Sequence, residues 1–365
     1  MKYLNYVCIF LLSSSVLLGF AKAEKSNVQA VRSTAFTVIK DRKKIYPFVA
    51  FEKVIKNMPP ERCDGSWPIC GGSSTATIID EYNCRTNNIE NCKGITQDQQ
   101  VSSMGMMAWA RKNADNAPDT LATSFTNINL DGVFAAKAII NSSSAFKFKP
   151  ESCFPIDRIQ NKFGNSLAME SYLTMLKDLF ARNKSQTEAC ESCMIKSIQD
   201  GLGIEVSSNE FKKALERKTF EEFLFRIIFK DNCEYKPYNP KPNVRAFPVA
   251  GETAPKSAMI EKSKEILMTD KPILLNAVCE ARNKETNECI GNHHIVITGY
   301  SKICKTATSK DNECKRIIKI EAALCSDWQK AHDDGWVDAE SLADNMSEDP
   351  MSLGAMIWLE KKEMQ

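Results

Sequence analysis

The spacing of apolar residues changes along the chain. In the middle third, Leu167, Tyr172, Leu173, Leu176, Leu179 and Phe180 recur near helical spacing, and Phe211 to Phe229 does so again with charged residues interleaved. This pattern predicts amphipathic helices. Pro237, Pro240 and Pro242 then mark a loop or boundary. A helix is expected at 257–269, followed by strand-like runs at 272–278, 294–297 and 317–320 and a last strand at 355–359. Earlier, 35–39 reads as a strand. The stretch from Cys70 to Tyr82 opens a helix with Ile78, Ile79 and Tyr82 on one face. Gly71 and Gly72 weaken its start by about 1 kcal/mol each relative to Ala. Met104, Met106 and Met107 around Trp109 read as one buried helix face. A helical half preceding a strand-rich half predicts an α+β fold with two lobes, and no internal repeat is evident.

Composition narrows the setting. The chain has 365 residues, 43% hydrophobic and 26% charged, an ordinary globular profile with room for about two domains. Residues 1–23 read as a secretory signal peptide. Lys2 forms a small positive region, Val7 to Leu18 is mostly apolar, and Ala21-Lys22-Ala23 places cleavage after Ala23. No later run approaches the ~18 apolar residues of a membrane span. The expected product is a soluble protein, secreted or periplasmic, with disulfide bonds. Losing Lys2 and Lys22 takes the formal net charge from +2 to zero. A near-neutral chain whose densest basic cluster is Arg42-Lys43-Lys44 offers no electrostatic case for nucleic acid or an anionic membrane.

Fourteen cysteines point to an oxidising compartment. With Cys8 removed with the leader, an odd number remains, so at least one thiol is left over. Cys84 and Cys92 flank a polar loop. Cys279/Cys289 and Cys304/Cys314 bracket charged loops between apolar runs, as in hairpins stapled near their tips. Cys190-x-x-Cys193 reads as a redox motif, a metal half-site or two separate structural cysteines. With no second such motif and no nearby His, two separate disulfides, to Cys153 and Cys233, are the expectation.

There is no Walker loop, no His-Glu-x-x-His, no Gly-x-Ser-x-Gly and no Gly-x-Gly-x-x-Gly after a strand. No cofactor and no metal site is implied. The histidines stand only at 293, 294 and 332, so any imidazole base comes from these. Read alone, His293-His294 is a surface pair ahead of a buried strand.

His293, followed by an apolar run and Gly299-Tyr300, resembles the histidine motif of papain-like cysteine peptidases, and the register selects His293 over His294. The helix and Lys271-Pro272-Ile273 strand before it, with Ser326-Asp327-Trp328 and Gly335-Trp336 after it, are also similar to that family's pattern. Upstream, 64–70 (Asp64-Gly65-Ser66-Trp67-Pro68-Ile69-Cys70) looks like its nucleophile segment, matching at Gly65, Ser66 and Cys70, with Asp80 near a familial Glu. The resemblance implies Cys70 as nucleophile at a helix N-terminus and His293 as base, with Asp327 or Ser326 orienting the imidazole under Trp328. A helix dipole and a neighbouring imidazole favour the thiolate. Cys70 is then the odd cysteine.

The pattern also departs. Asp64 takes the oxyanion-hole position of a Gln, where a lost donor costs ~10²–10³ in rate; Gly71 replaces an aromatic; Ser326 falls where the family has Asn. A competing register puts Ser73 at the nucleophile position. His293 lies roughly 220 residues after Cys70, where papain-type chains place it ~130–150 downstream. The excess is expected in an insertion. The resulting division is a signal peptide at 1–23, an extension at 24–62, a helical lobe at 63–149, a helical disulfide-bearing insertion at 150–245 and a β-rich lobe at 246–365. The expected activity is hydrolysis of a peptide or protein substrate by a Cys–His pair. The alternative is a degenerate relative that binds a peptide or protein partner without turnover.

Overall fold

A computed structural model describes residues 32–34, 37, 39, 41–62, 69–106, 147–164, 166–186, 189–229, 233–234, 236–237, 242–249, 252–283, 285, 289–321, 333–346 and 356–361. The expected signal peptide, most of the 35–39 run, and Met107 with Trp109 fall outside them.

The strands are β1 (Arg32–Thr34), β2 (Phe48–Val54), β3 (Lys147–Phe148), β4 (Lys236–Pro237), β5 (Pro242–Phe247), β6 (Ile273–Asn283), β7 (Cys289–Cys304), β8 (Cys314–Glu321), β9 (Trp336–Asp338) and β10 (Met356–Lys361). The helices are α1 (Arg42–Ile45), α2 (Cys70–Thr86), α3 (Ile156–Phe163), α4 (Ser166–Ser185), α5 (Glu191–Leu202), α6 (Ser208–Leu215), α7 (Phe220–Ile228), α8 (Lys256–Met268) and α9 (Ala339–Asp344). The fold is α+β. Eight strands form one antiparallel sheet in the order β5-β10-β6-β7-β8-β9, with β1 against the far end of β6 and β2 against the second half of β7. β3 and β4 form a separate ribbon.

β7 is the axis of the sheet. Its first half pairs with β6 (His293 opposite Val278, Ile295 opposite Leu275), and its second half runs between β2 and β8. Its register shifts against β8 between Ile297 and Gly299. A Cβ at Gly299 would come within 3.2 Å of the Lys53 carbonyl oxygen and 3.0 Å of Lys319 Cβ, so a bare backbone is what allows three strands to meet there. α2 and α8 lie against this sheet, and Ala76, Ile78, Ile79 and Tyr82 share a core with Ile273–Leu275 and Ile295–Ile297.

A second core belongs to α3–α7. Leu173, Leu176, Met194, Ile198, Phe211, Phe223 and Leu224 are all buried there. Phe180, Phe211, Phe220 and Phe223 pack ring on ring at centroid distances of 5.1 to 6.2 Å. The periodic stretch 211–229 is two helices, because Thr219 turns extended and accepts the Glu222 N–H as a new N-cap. α6 begins with a full capping box between Ser207 and Glu210.

Five disulfides lie among the described residues: Cys84–Cys92, Cys153–Cys233, Cys190–Cys193, Cys279–Cys289 and Cys304–Cys314. The local loop and both hairpin staples match the sequence reading. Cys190 and Cys193 do not reach to Cys153 and Cys233. Cys190 caps α5, which brings Cys193 one turn further within reach of it, while Cys153 and Cys233 join each other across 80 residues. On loop-closure entropy the long bridge contributes about 4.5 kcal/mol and the short one about 2. Several disulfides suit an oxidising compartment, and among the described residues no helix is long and apolar enough to cross a membrane.

Candidate active site

α2 is buried on nearly every side. Every residue from Cys70 to Tyr82 is buried, although seven of the first eight (Cys70 to Thr77) are Cys, Gly, Ser or Thr. Small side chains let the helix start lie close to the sheet and to the 101–106 segment at once. The first turn carries no acidic residue and no side-chain cap, so neither offsets the positive end of the helix dipole near Cys70. Cys70 is a buried thiol outside the five described disulfides.

Ser74 stands one turn after Cys70 on the same helix face. Its hydroxyl donates to the backbone carbonyl of His294, 2.9 Å away. That hydrogen bond fixes the face bearing Cys70 against the histidine segment of β7. His294 is 2% exposed and turned into the core, whereas His293 is half-buried on the opposite side, with Nε2 shielded from water. The Cys279–Cys289 bridge closes the β6–β7 hairpin just beyond His293. On the other side of β6, Val278 bridges Met346, and the Cys279 N–H donates to the Asn345 carbonyl at 2.8 Å. The histidine is therefore held by strand pairing on both sides of its neighbour.

Ser73, the nucleophile of the competing register, brings its Oγ to 3.3 Å from Ser103 Oγ. Ser103 Oγ in turn accepts from Arg62 Nη1 at 2.9 Å. The same guanidinium donates to Asp80 Oδ2 at 2.6 Å and to Glu151 Oε2 at 3.4 Å. Asp80 also accepts the Val101 N–H, and Glu151 those of Ser103 and Ile156, each at 2.9 Å. Among the described residues one guanidinium thus serves two buried carboxylates. Burial raises the Asp80 carboxyl to about 6 and that of Glu151 above its ordinary range, against the pull of Arg62 in each case. This cluster ties α2 to Arg62 and to the 101–103 and 151–156 segments. Arg62, Ser103 and Glu151 carry no motif that would have marked them; only Asp80 had a familial counterpart.

Asp64, Ser326, Asp327 and Trp328 lie outside the described residues. The Gly335-Trp336 turn is described. Gly335 adopts φ +87°, and a Cβ there would sit 2.4 Å from the Ile320 carbonyl oxygen, so the return from 333–335 into β9 requires glycine. No group of three or more His, Cys, Asp or Glu side chains among the described residues is arranged to hold a metal ion. No protein-family model and no curated protein matches the chain.

Proposed function

We propose that this chain is an exported papain-like thiol peptidase or amidase in which Cys70 is the nucleophile and His293 the base. The observation that carries the reading is the Ser74–His294 hydrogen bond, which sets the helix face headed by Cys70 against the strand bearing His293. The Cys70 thiolate attacks the scissile carbonyl, His293 gives its proton to the departing amine, and water then hydrolyses the thioester. The helix N-terminus favours both the thiolate and the developing oxyanion at the Cys70 N–H. The resemblance assigns Asp327 or Ser326 to orient the imidazole and Trp328 to shield that contact. By the sequence resemblance Asp64 replaces the Gln of the oxyanion hole, and an ionised carboxylate in that role opposes turnover. That residue supports the second reading, a cleft that binds a peptide or protein partner without cleaving it.

Mass-spectrometric mapping of the unreduced protein after treatment with iodoacetamide or a peptidyl epoxide separates the two. Rapid labelling confined to Cys70 and lost in His293→Ala is the expected result, with hydrolysis of a casein digest abolished in Cys70→Ala. Labelling of Cys70 no faster than that of a denatured thiol would overturn the peptidase reading and leave the binding one.

A further inference from the structure

The Cys190–Cys193 pair has no part in the site described above, and its position differs from that of every other described disulfide. The other four each contain at least one buried cysteine, but here Cys190 is half-buried and Cys193 exposed. Its covalent loop is the shortest, with a sequence separation of 3 against 8 to 80 elsewhere. It therefore constrains the unfolded chain least. It also sits on a rigid mount. α5 is anchored in the second core by Met194, Ile198 and Leu202, all buried, while its first turn stays at the rim.

The two sulfurs are not equivalent. Cys190 is the N-cap of a 12-residue helix, and its Sγ accepts the Cys193 N–H at 3.2 Å. A thiolate at Cys190 gains that hydrogen bond and the positive helix end. Cys193 is the more exposed of the two residues. We propose that Cys190–Cys193 is a thiol–disulfide exchange site, in which the thiolate of an incoming cysteine attacks Cys193 Sγ and expels Cys190 as a helix-capped thiolate.

In that step one S–S bond forms to the incoming sulfur as the Cys190–Cys193 bond breaks, and the electron pair of the broken bond goes to Cys190. A second substrate thiolate then attacks the incoming sulfur of the mixed disulfide and releases Cys193. Two substrate thiols are oxidised to a disulfide, the pair is reduced by two electrons, and two protons pass from the substrate thiols to Cys190 and Cys193. Exchange with a low-molecular-weight disulfide reverses the sequence and restores the bond. The thiolate that leaves best is the one held at the lower pKa, which sets the direction of attack.

The experiment treats the full chain with reduced glutathione or, separately, with a short peptide bearing one cysteine. Acid quenching, alkylation and mass spectrometry locate the adducts. The expected result is a mixed disulfide on Cys193, formed at least tenfold faster than on a linear peptide of sequence 187–196, with the other described disulfides intact. That rate enhancement at Cys193 in either arm supports the site, and the faster arm identifies its source of thiols as small-molecule or polypeptide. The double variant Cys190→Ala/Cys193→Ala is expected to lose all such labelling while keeping the circular dichroism spectrum of the parent. Adducts on Cys190 would overturn the assigned direction. A rate within twofold of the linear peptide, or opening only together with the buried disulfides, would reduce the pair to a staple.

Discussion

Two buried regions, the α3–α7 core and the polar interior beside the start of α2, are built on opposite terms. In the α3–α7 layer the buried side chains are almost all apolar, dominated by ring-on-ring packing of Phe180, Phe211, Phe220 and Phe223. Its chemistry, the Cys190–Cys193 pair, stays at the rim. Around α2 the interior holds Ser73, Ser74, Thr75, Thr77, Asp80, Ser102 and Ser103 together with Arg62 and Glu151. Apolar packing alone stabilises through area and tolerates no charge. A buried polar cluster contributes less to stability per residue but fixes donors and acceptors in one arrangement. The region that positions the candidate nucleophile has taken the second course.

Removing the shared cation should expose this difference most sharply. Arg62→Met leaves Asp80 and Glu151 buried without it, which costs about 3–5 kcal/mol at neutral pH. Urea unfolding should show the loss shrinking at pH 5, where the carboxylates take up protons. An equal loss at both pH values would mean that Arg62 serves packing rather than charge. The matching change in the other core, Leu173→Ala, should cost about 2–5 kcal/mol through a cavity, and that loss should be flat across the same pH range.

Acid dependence of the parent protein sharpens the contrast further. The folded Asp80 carboxyl titrates near 6, above the 3.8 of an ordinary Asp. Its stabilising contribution is therefore complete below about pH 4 and fades as pH rises through 6. Glu81, raised by burial to about 7, works in the same direction. Glu360 is depressed to about 2 by Lys271, Arg245 and Trp358 despite partial burial, and its contribution is lost only in stronger acid. Between pH 7 and 4 the parent should gain stability on acidification, and Asp80→Asn should remove on the order of 1–3 kcal/mol of that gain. Urea midpoints taken at half-unit pH intervals test this; an unchanged slope in the variant would locate the titration elsewhere.

Much of the fold was legible where a single periodicity ruled. The runs at 257–269, 272–278 and 317–320 match α8, β6 and β8 closely, because each had one buried face to specify. α2 was foreseen from Ile78, Ile79 and Tyr82, yet its burial on all sides was not. Its hydroxyl and glycine residues read as weak helix formers, and only the three-dimensional neighbours show why small groups are needed. The Arg62–Asp80–Glu151 cluster joins positions up to 89 residues apart and leaves no local trace. The cysteines divide the same way. Both hairpin staples followed from loops between apolar runs, whereas Cys190–Cys193 turned on a capping geometry that composition does not carry.

The smallest expected effect lies at the polar edge of the apolar layer. Ser207 accepts the Glu210 N–H, and the Glu210 carboxylate accepts the Ser207 N–H at 2.8 Å, closing the capping box of α6. Ser207→Ala should cost about 1 kcal/mol, without pH dependence from the α2 cluster. The same helix presents Ser208 Oγ and Lys212 to Glu191, the residue that follows Cys190 at the head of α5. A frayed α6 loosens the neighbour of the exchange site but leaves the Cys190 cap and its Cys193 N–H donor in place. Glutathione adduct formation on Cys193 should therefore change less than twofold in Ser207→Ala while the urea midpoint falls. A larger kinetic change would show that the sulfurs depend on α6 for their positions, and that the layer's rim is organised as cooperatively as the site around α2.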